Sequence, residues 1–153
     1  MVKGMRKKIL VKEEYCIGCR LCEIYCVTAH SQSKNLIRVF RYELGELAPA
    51  VIVEEREYTT FAVQCRHCEE ASCVRACITG AMHRDSSTGA VYVDRDKCVG
   101  CWMCIMVCPY GVIKRGTGSN KVASKCDLCL DRELPACVEN CPNEALVLTE
   151  VNE

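Results

Sequence analysis

Cysteine constrains this chain more than any other feature: sixteen of its 153 residues are cysteine, gathered into four runs of four. The runs are Cys16-x2-Cys19-x2-Cys22-x3-Cys26, Cys65-x2-Cys68-x4-Cys73-x3-Cys77, Cys98-x2-Cys101-x2-Cys104-x3-Cys108 and Cys126-x2-Cys129-x7-Cys137-x3-Cys141. Four quartets of thiolates match four cubane [4Fe–4S] clusters, one thiolate to each iron. The third run ends in Cys108-Pro109 and so reads C-x2-C-x2-C-x3-C-P. That spacing has a physical cause. Three thiolates two residues apart let a short loop wrap one face of a cluster. The fourth leaves on a helical turn and reaches a neighbouring cluster.

Composition agrees with a fold organised by inorganic groups. With cysteine set aside, roughly 40% of the residues are apolar, below the usual share for a globular domain. A chain of this length forms one compact unit or two small fused ones. Its core would be thin, and ligand bonding would then carry folding free energy, as in small metal domains. Twenty basic and twenty acidic residues balance, leaving no footprint for nucleic acid or for an anionic membrane. Oxidised cubanes with four thiolates carry about −2 each, so a loaded chain would be acidic by about −8. Met1 to Lys8 is basic but leads into no apolar run, no twin-arginine signal is visible, and no stretch has the length of a membrane span. A cytoplasmic protein is expected, which argues against a disulfide framework.

The spaces between the runs carry the organisation. Ile78 to Lys97 reads as two short strands around the turn Ser86-Ser87-Thr88-Gly89, joining the second and third runs into one continuous unit. Lys8-Ile9-Leu10-Val11 enters the first run as a strand, and Glu144 to Thr149 leaves the fourth run as another. Pairing these two would close an outer unit around an inner one. The expected fold is therefore α+β, with two cluster-binding modules, the second nested inside the first, and short strands and helical turns around the clusters. The outer module would span 1–64 and 110–153, with a hairpin insertion at 27–64, and the inner module 65–109. Within the insertion, Asn35 to Glu43 and Val51 to Glu57 have strand-like composition. They read as a hairpin packing over the outer module, or as a docking element for a partner.

The motifs resemble a known family. They are Cys16-Ile17-Gly18-Cys19-Arg20-Leu21-Cys22-Glu23, Gln64-Cys65-Arg66-His67-Cys68, Cys98-Val99-Gly100-Cys101-Trp102-Met103-Cys104 and Lys125-Cys126-Asp127-Leu128-Cys129, with His30-Ser31 and Cys77 to Met82. Together they resemble the four-cluster ferredoxin-like proteins of the dimethyl-sulfoxide-reductase beta-subunit type. Within these the chain is most similar to the electron-transfer proteins that serve nickel carbon monoxide dehydrogenases. Related small subunits serve tungsten aldehyde oxidoreductases, formate dehydrogenases and hydrogenases. The resemblance implies that run one shares clusters with run four, and run two with run three, the fourth cysteine of each run crossing over. One cluster would be held by Cys16, Cys19, Cys22 and Cys141, and its mate by Cys126, Cys129, Cys137 and Cys26. The inner pair would use Cys65, Cys68, Cys73 with Cys108, and Cys98, Cys101, Cys104 with Cys77. It further implies an electron-transfer subunit, not an enzyme. That subunit would link a catalytic redox enzyme containing nickel, tungsten or molybdenum to an acceptor such as a hydrogenase, flavoprotein or ferredoxin.

Other chemistries fit less well. Zinc also takes four thiolates and stays open for the fourth run with its x7 gap, whereas successive x2 steps in runs one and three suit a cubane. A zinc-rich interaction module would be expected to carry a basic stripe, which is absent. No C-x3-C-x2-C triad and no nucleotide-binding glycine loop appears, so catalysis by the chain itself finds no support. Sixteen thiolates satisfy sixteen irons, so His30, His67 and His83 are expected to hydrogen-bond or to lie at the surface. Gly18 and Gly100 mark turns that need positive φ, where backbone N–H groups could point at cluster sulfur. Tyr15, Tyr25, Trp102 and Tyr110 flank ligands and would shield clusters from water. Arg6-Lys7-Lys8 and Glu54-Glu55-Arg56-Glu57 read as solvated faces.

Overall fold

In the computed structural model, residues 6–45, 47–117 and 121–151 are described. The elements run β1 (Arg6–Val11), α1 (Leu21–His30), α2 (Leu36–Arg38), β2 (Ile52–Arg56), β3 (Thr59–Val63), α3 (Ser72–Arg75) and β4 (Met82–Arg84). There follow β5 (Val91–Val93), α4 (Met103–Val107), β6 (Lys114–Arg115), β7 (Ala123–Ser124), α5 (Ala136–Glu139) and β8 (Leu146–Val151). It is a small mixed α+β fold of short strands and short helices.

Each strand pairs with one partner, and every pair is antiparallel. β1 and β8 join the two ends of the chain, with Ile9 opposite Leu148 and Val11 opposite Leu146. β4 and β5 form the hairpin between runs two and three, turning through Asp85 to Ala90. The Asp85 carboxylate organises that turn, accepting from Ser87 Oγ at 2.5 Å, Thr88 N at 2.7 Å and Thr88 Oγ1 at 2.6 Å. These bonds hold its pKa down to about 2. β2 pairs with β3, and β6 with β7.

The insertion departs from the strand pattern read in the sequence. Asn35–Glu43 is helical: α2 continues as a π-helical turn over Val39–Glu43. Asn35 starts it, its side chain accepting from Arg38 N at 3.2 Å while its carbonyl accepts from Val39 N at 2.9 Å. That capping bond wins over the β-branched content of the segment. Val51 to Glu57 does hold a strand, but its partner is Thr59–Val63. This hairpin lies on the first run: Val53 N donates to Glu23 Oε1 at 2.6 Å and Thr60 Oγ1 to the Cys16 carbonyl at 2.7 Å.

Two small cores result, each lined with cysteine. One groups Cys22, Cys26, Val51, Val53, Ala62, Cys137 and Leu146. The other groups Ala71, Met82, Val91, Cys104, Ile113 and Ala123, so it takes in two residues from beyond position 109. The largest wholly buried side chains are His67 and three valines.

Candidate metal centres

Two turn designs present the thiols, and each occurs twice. In runs one and three, a glycine of positive φ (Gly18 at 69°, Gly100 at 70°) precedes the second cysteine, and a left-handed residue (Arg20 at 59°, Trp102 at 64°) follows it. A helix begins at once, α1 or α4, so the third cysteine sits in its first turn. In runs two and four, His67 (46°) and Leu128 (61°) turn the chain just before the second cysteine. Their backbone N–H groups donate to the first sulfur, His67 N to Cys65 Sγ and Leu128 N to Cys126 Sγ, each at 3.4 Å. Long and short runs thus alternate along the chain as two copies of one design.

The turns bring cysteines from distant runs together. One pocket is lined by Cys16, Cys19, Cys22 and Cys141, under Tyr15, Ile17 and Pro142. A second is lined by Cys77, Cys98, Cys101 and Cys104, beside Met82, Val99 and Trp102. Elsewhere the thiols betray their neighbours through charge. Burial pushes Cys137 up to about 12, and Cys26 and Cys129 add to the rise. Burial raises Cys126 well above the usual thiol range, with Cys137 adding. Burial also raises Cys73, and Cys65 and Cys108 reinforce it. Cys22 goes to about 12 through burial, with Glu23, Cys19 and Cys141 adding to it. Cys77 runs the other way: burial opposes, but hydrogen bonds from Met82 N and Thr79 outweigh it and lower the thiol.

These donors fit iron–sulfur clusters. Thiols from separate runs, buried and packed against one another, suit a metal, which expels their protons and turns like-charge crowding into ligand bonds. The sulfurs also collect backbone donors, as cluster sulfur does. Beyond runs two and four, Ala50 N reaches Cys26 Sγ at 3.4 Å, Met82 N reaches Cys77 Sγ at 3.3 Å and Ala123 N reaches Cys98 Sγ at 3.5 Å. Gly18 and Gly100 take the positive φ expected of them and also make room: a Cβ on Gly100 would meet the Lys121 carbonyl oxygen at 2.2 Å, and one on Gly18 would meet Thr60 Cγ2 at 3.1 Å.

The histidines support ligands from outside. His30 Nδ1 lies 2.8 Å from the Cys26 carbonyl oxygen and Nε2 lies 3.0 Å from Asp127 Oδ1, tying α1 to the fourth run. The bond to Asp127 holds His30 up to about 11; on Asp127 burial opposes, yet His30 brings it down to about 2. His30, Asp127 and Cys129 bring one donor atom each within 4.8 Å, but the first two already satisfy each other. His67 is buried and accepts from Val91 N at Nδ1, 2.9 Å away. His83 stacks edge-on against Tyr92. Of the aromatic residues, Tyr15 and Trp102 line the two thiol pockets, while Tyr110 carries Arg66 over its ring at 4.4 Å. Two polar supports escaped the sequence reading: Arg84, bonded to the carbonyls of Cys68, Glu69 and Gly89, and the buried Lys125. Arg84 comes beside Cys68 only in the folded chain, and the place of Lys125 next to Cys126 does not reveal that its ammonium reaches Val91.

A family model described as a 4Fe-4S dicluster domain matches residues 56–151. The "Iron-sulfur protein" of Rhodospirillum rubrum is 35% identical over 159 residues, covering 94% of this chain and 82% of its own length. The chain belongs to the 4Fe-4S dicluster domain family. Another relative, "Electron transport protein HydN" of Escherichia coli (strain K12), is 34% identical over 97% of this chain and 91% of its own. "Putative oxidoreductase AegA" of the same strain is 39% identical, but this chain spans only 22% of that protein. Among solved structures, the active site complex BamBC of benzoyl coenzyme A reductase, as isolated, shares the fold at a TM-score of 0.53 and 24% identity, over 97% of this chain and 80% of that one. This 4Fe-4S dicluster protein is an iron–sulfur protein of the electron-transfer kind. Among its described residues, no helix is long and apolar enough to cross a membrane.

Proposed function

We propose that the protein relays single electrons through four [4Fe–4S] clusters between a catalytic oxidoreductase and a downstream acceptor. The ligand sets are Cys16, Cys19, Cys22 with Cys141; Cys126, Cys129, Cys137 with Cys26; Cys65, Cys68, Cys73 with Cys108; and Cys98, Cys101, Cys104 with Cys77. The observation that carries the reading is the crowding of thiols from separate runs at common points. It supports the first and last sets through their shared pockets and the middle two through mutual charge. The outer sets belong to a module of residues 1–64 and 110–153, and the inner sets to one of residues 65–109.

A bound cubane supplies reversible one-electron chemistry with no change of ligands. The chain does the rest. Backbone N–H groups aimed at sulfur favour the reduced state, and Tyr15, Met82 and Trp102 exclude water. Contiguity is favoured by Cys22 and Cys26, which stand one turn apart on α1 and face different quartets, and by Cys65, whose charge reaches Cys126. The order that follows is the Cys16 set, the Cys126 set, the Cys65 set and the Cys98 set. At its two ends Cys19 and Cys101 are exposed, where electrons can enter and leave.

The catalytic partner is a nickel carbon monoxide dehydrogenase in the cytoplasm, and the acceptor a hydrogenase, flavoprotein or ferredoxin. The motifs around the four runs support this reading. Affinity capture from anaerobic native extract tests it: a nickel enzyme on the bait is the expected result. A tungstopterin or molybdopterin enzyme would replace that partner while leaving the relay intact.

A further inference from the structure

The junction between the second and fourth runs holds a buried cation. Lys125 is 8% exposed and precedes Cys126. Its ammonium donates to the Val91 carbonyl, and to the Cys126 carbonyl at 2.7 Å. Val91 is held from its other side as well, since its N–H donates to His67 Nδ1 at 2.9 Å. One backbone position on β5 therefore links a residue of run four to a residue of run two. The ammonium thus stands beside the first cysteine of run four and is joined through Val91 to the turn between Cys65 and Cys68 in run two. At the matching place in run two stands Gln64, also buried but uncharged.

We propose that Lys125 is a positioning residue that bridges the two middle clusters electrostatically, raising the reduction potential of both. The inference rests on the four-cluster reading above. Reduction takes a cubane with four thiolates from about −2 to about −3, so a cation in low dielectric stabilises the reduced form more than the oxidised one. Electrons come from the catalytic partner and pass from one middle cluster to the other. No bond forms or breaks and no proton moves. A neighbour already reduced would repel the incoming electron, and the ammonium between the two offsets that repulsion. Passage from one module to the other is eased at its most crowded point.

Electron paramagnetic resonance titrations against applied potential, on anaerobically prepared holoprotein, test this. In Lys125→Gln, which keeps an N–H donor but loses the charge, two of the four midpoints should move to lower potential while the other two stay. The two that move should be those whose signals Cys65→Ser and Cys126→Ser alter. Lys125→Arg should leave all four near their original values. If Lys125→Gln does not load clusters, Ser124→Asp leaves Lys125 in place, adds an opposing charge beside it and should lower the same two midpoints. Midpoints that all move together, or none that move, would overturn the bridge. Fewer than four titrating centres in the unaltered protein would instead remove the four-cluster reading, and the bridge with it.

Discussion

At the scale of single residues, backbone shape sets the cost of change more than side-chain chemistry does. Gly80 and Gly100 both have positive φ, at 66° and 70°. An added Cβ on Gly80 meets nothing within 4 Å, whereas one on Gly100 strikes the Lys121 carbonyl oxygen. Gly80→Ala should therefore cost only the left-handed strain, about 1–2 kcal/mol. Gly100→Ala must also push back the chain beside Cys98 and Cys101, and its iron content should fall by about one cubane per chain. Iron analysis of the two variants side by side separates the cases. His67 offers another test. Replacing it with Leu, the residue at the matching turn of run four, leaves the Val91 N–H buried without its acceptor. That should cost about 1–3 kcal/mol, read from urea-induced bleaching under anaerobic conditions.

At the scale of elements, the strands lie where they close something. Leu146 begins β8, is 2% exposed and packs in the core that holds Cys22, Cys26 and Cys137. Leu146→Ala should destabilise the protein by about 2–5 kcal/mol. Ile37 in α2 is 73% exposed, and Ile37→Ser should fall within about 0.5 kcal/mol of the parent in the same urea assay. The contrast also explains what could be read in advance. The pairing of β1 with β8 and of β4 with β5 was legible because each follows from alternating apolar residues beside a cysteine run or a Gly-containing turn. α2 was not, since Asn35–Glu43 is rich in residues that suit strands and only the Asn35 cap decides otherwise. The partner of β2 is hidden for the same reason: with Asn35–Glu43 read as a strand, Thr59–Val63 has no role left to fill. In the candidate site, spacing alone marks the cysteines as candidate ligands. It does not mark Lys125, Arg84 or the five N–H donors to sulfur, because their roles depend on contacts across 16 or more residues or on local turns that spacing does not encode.

At the scale of the whole molecule, both cores are thin and cysteines line each of them. The most buried side chains are small, and many core positions are cysteines whose ionisation burial resists. Stripping iron with a chelator under anaerobic, reducing conditions should therefore collapse far-ultraviolet circular dichroism along with the visible absorption. Retained secondary structure after complete removal of iron would show that the polypeptide folds without metal. The same thiols make the count of inorganic groups the quantity on which everything else turns. Iron and acid-labile sulfide should be assayed together on anaerobically purified protein. About sixteen of each per chain, with visible absorption that dithionite bleaches, is the expected result. Stoichiometric zinc in a colourless protein, or iron for only one or two cubanes, would contradict it.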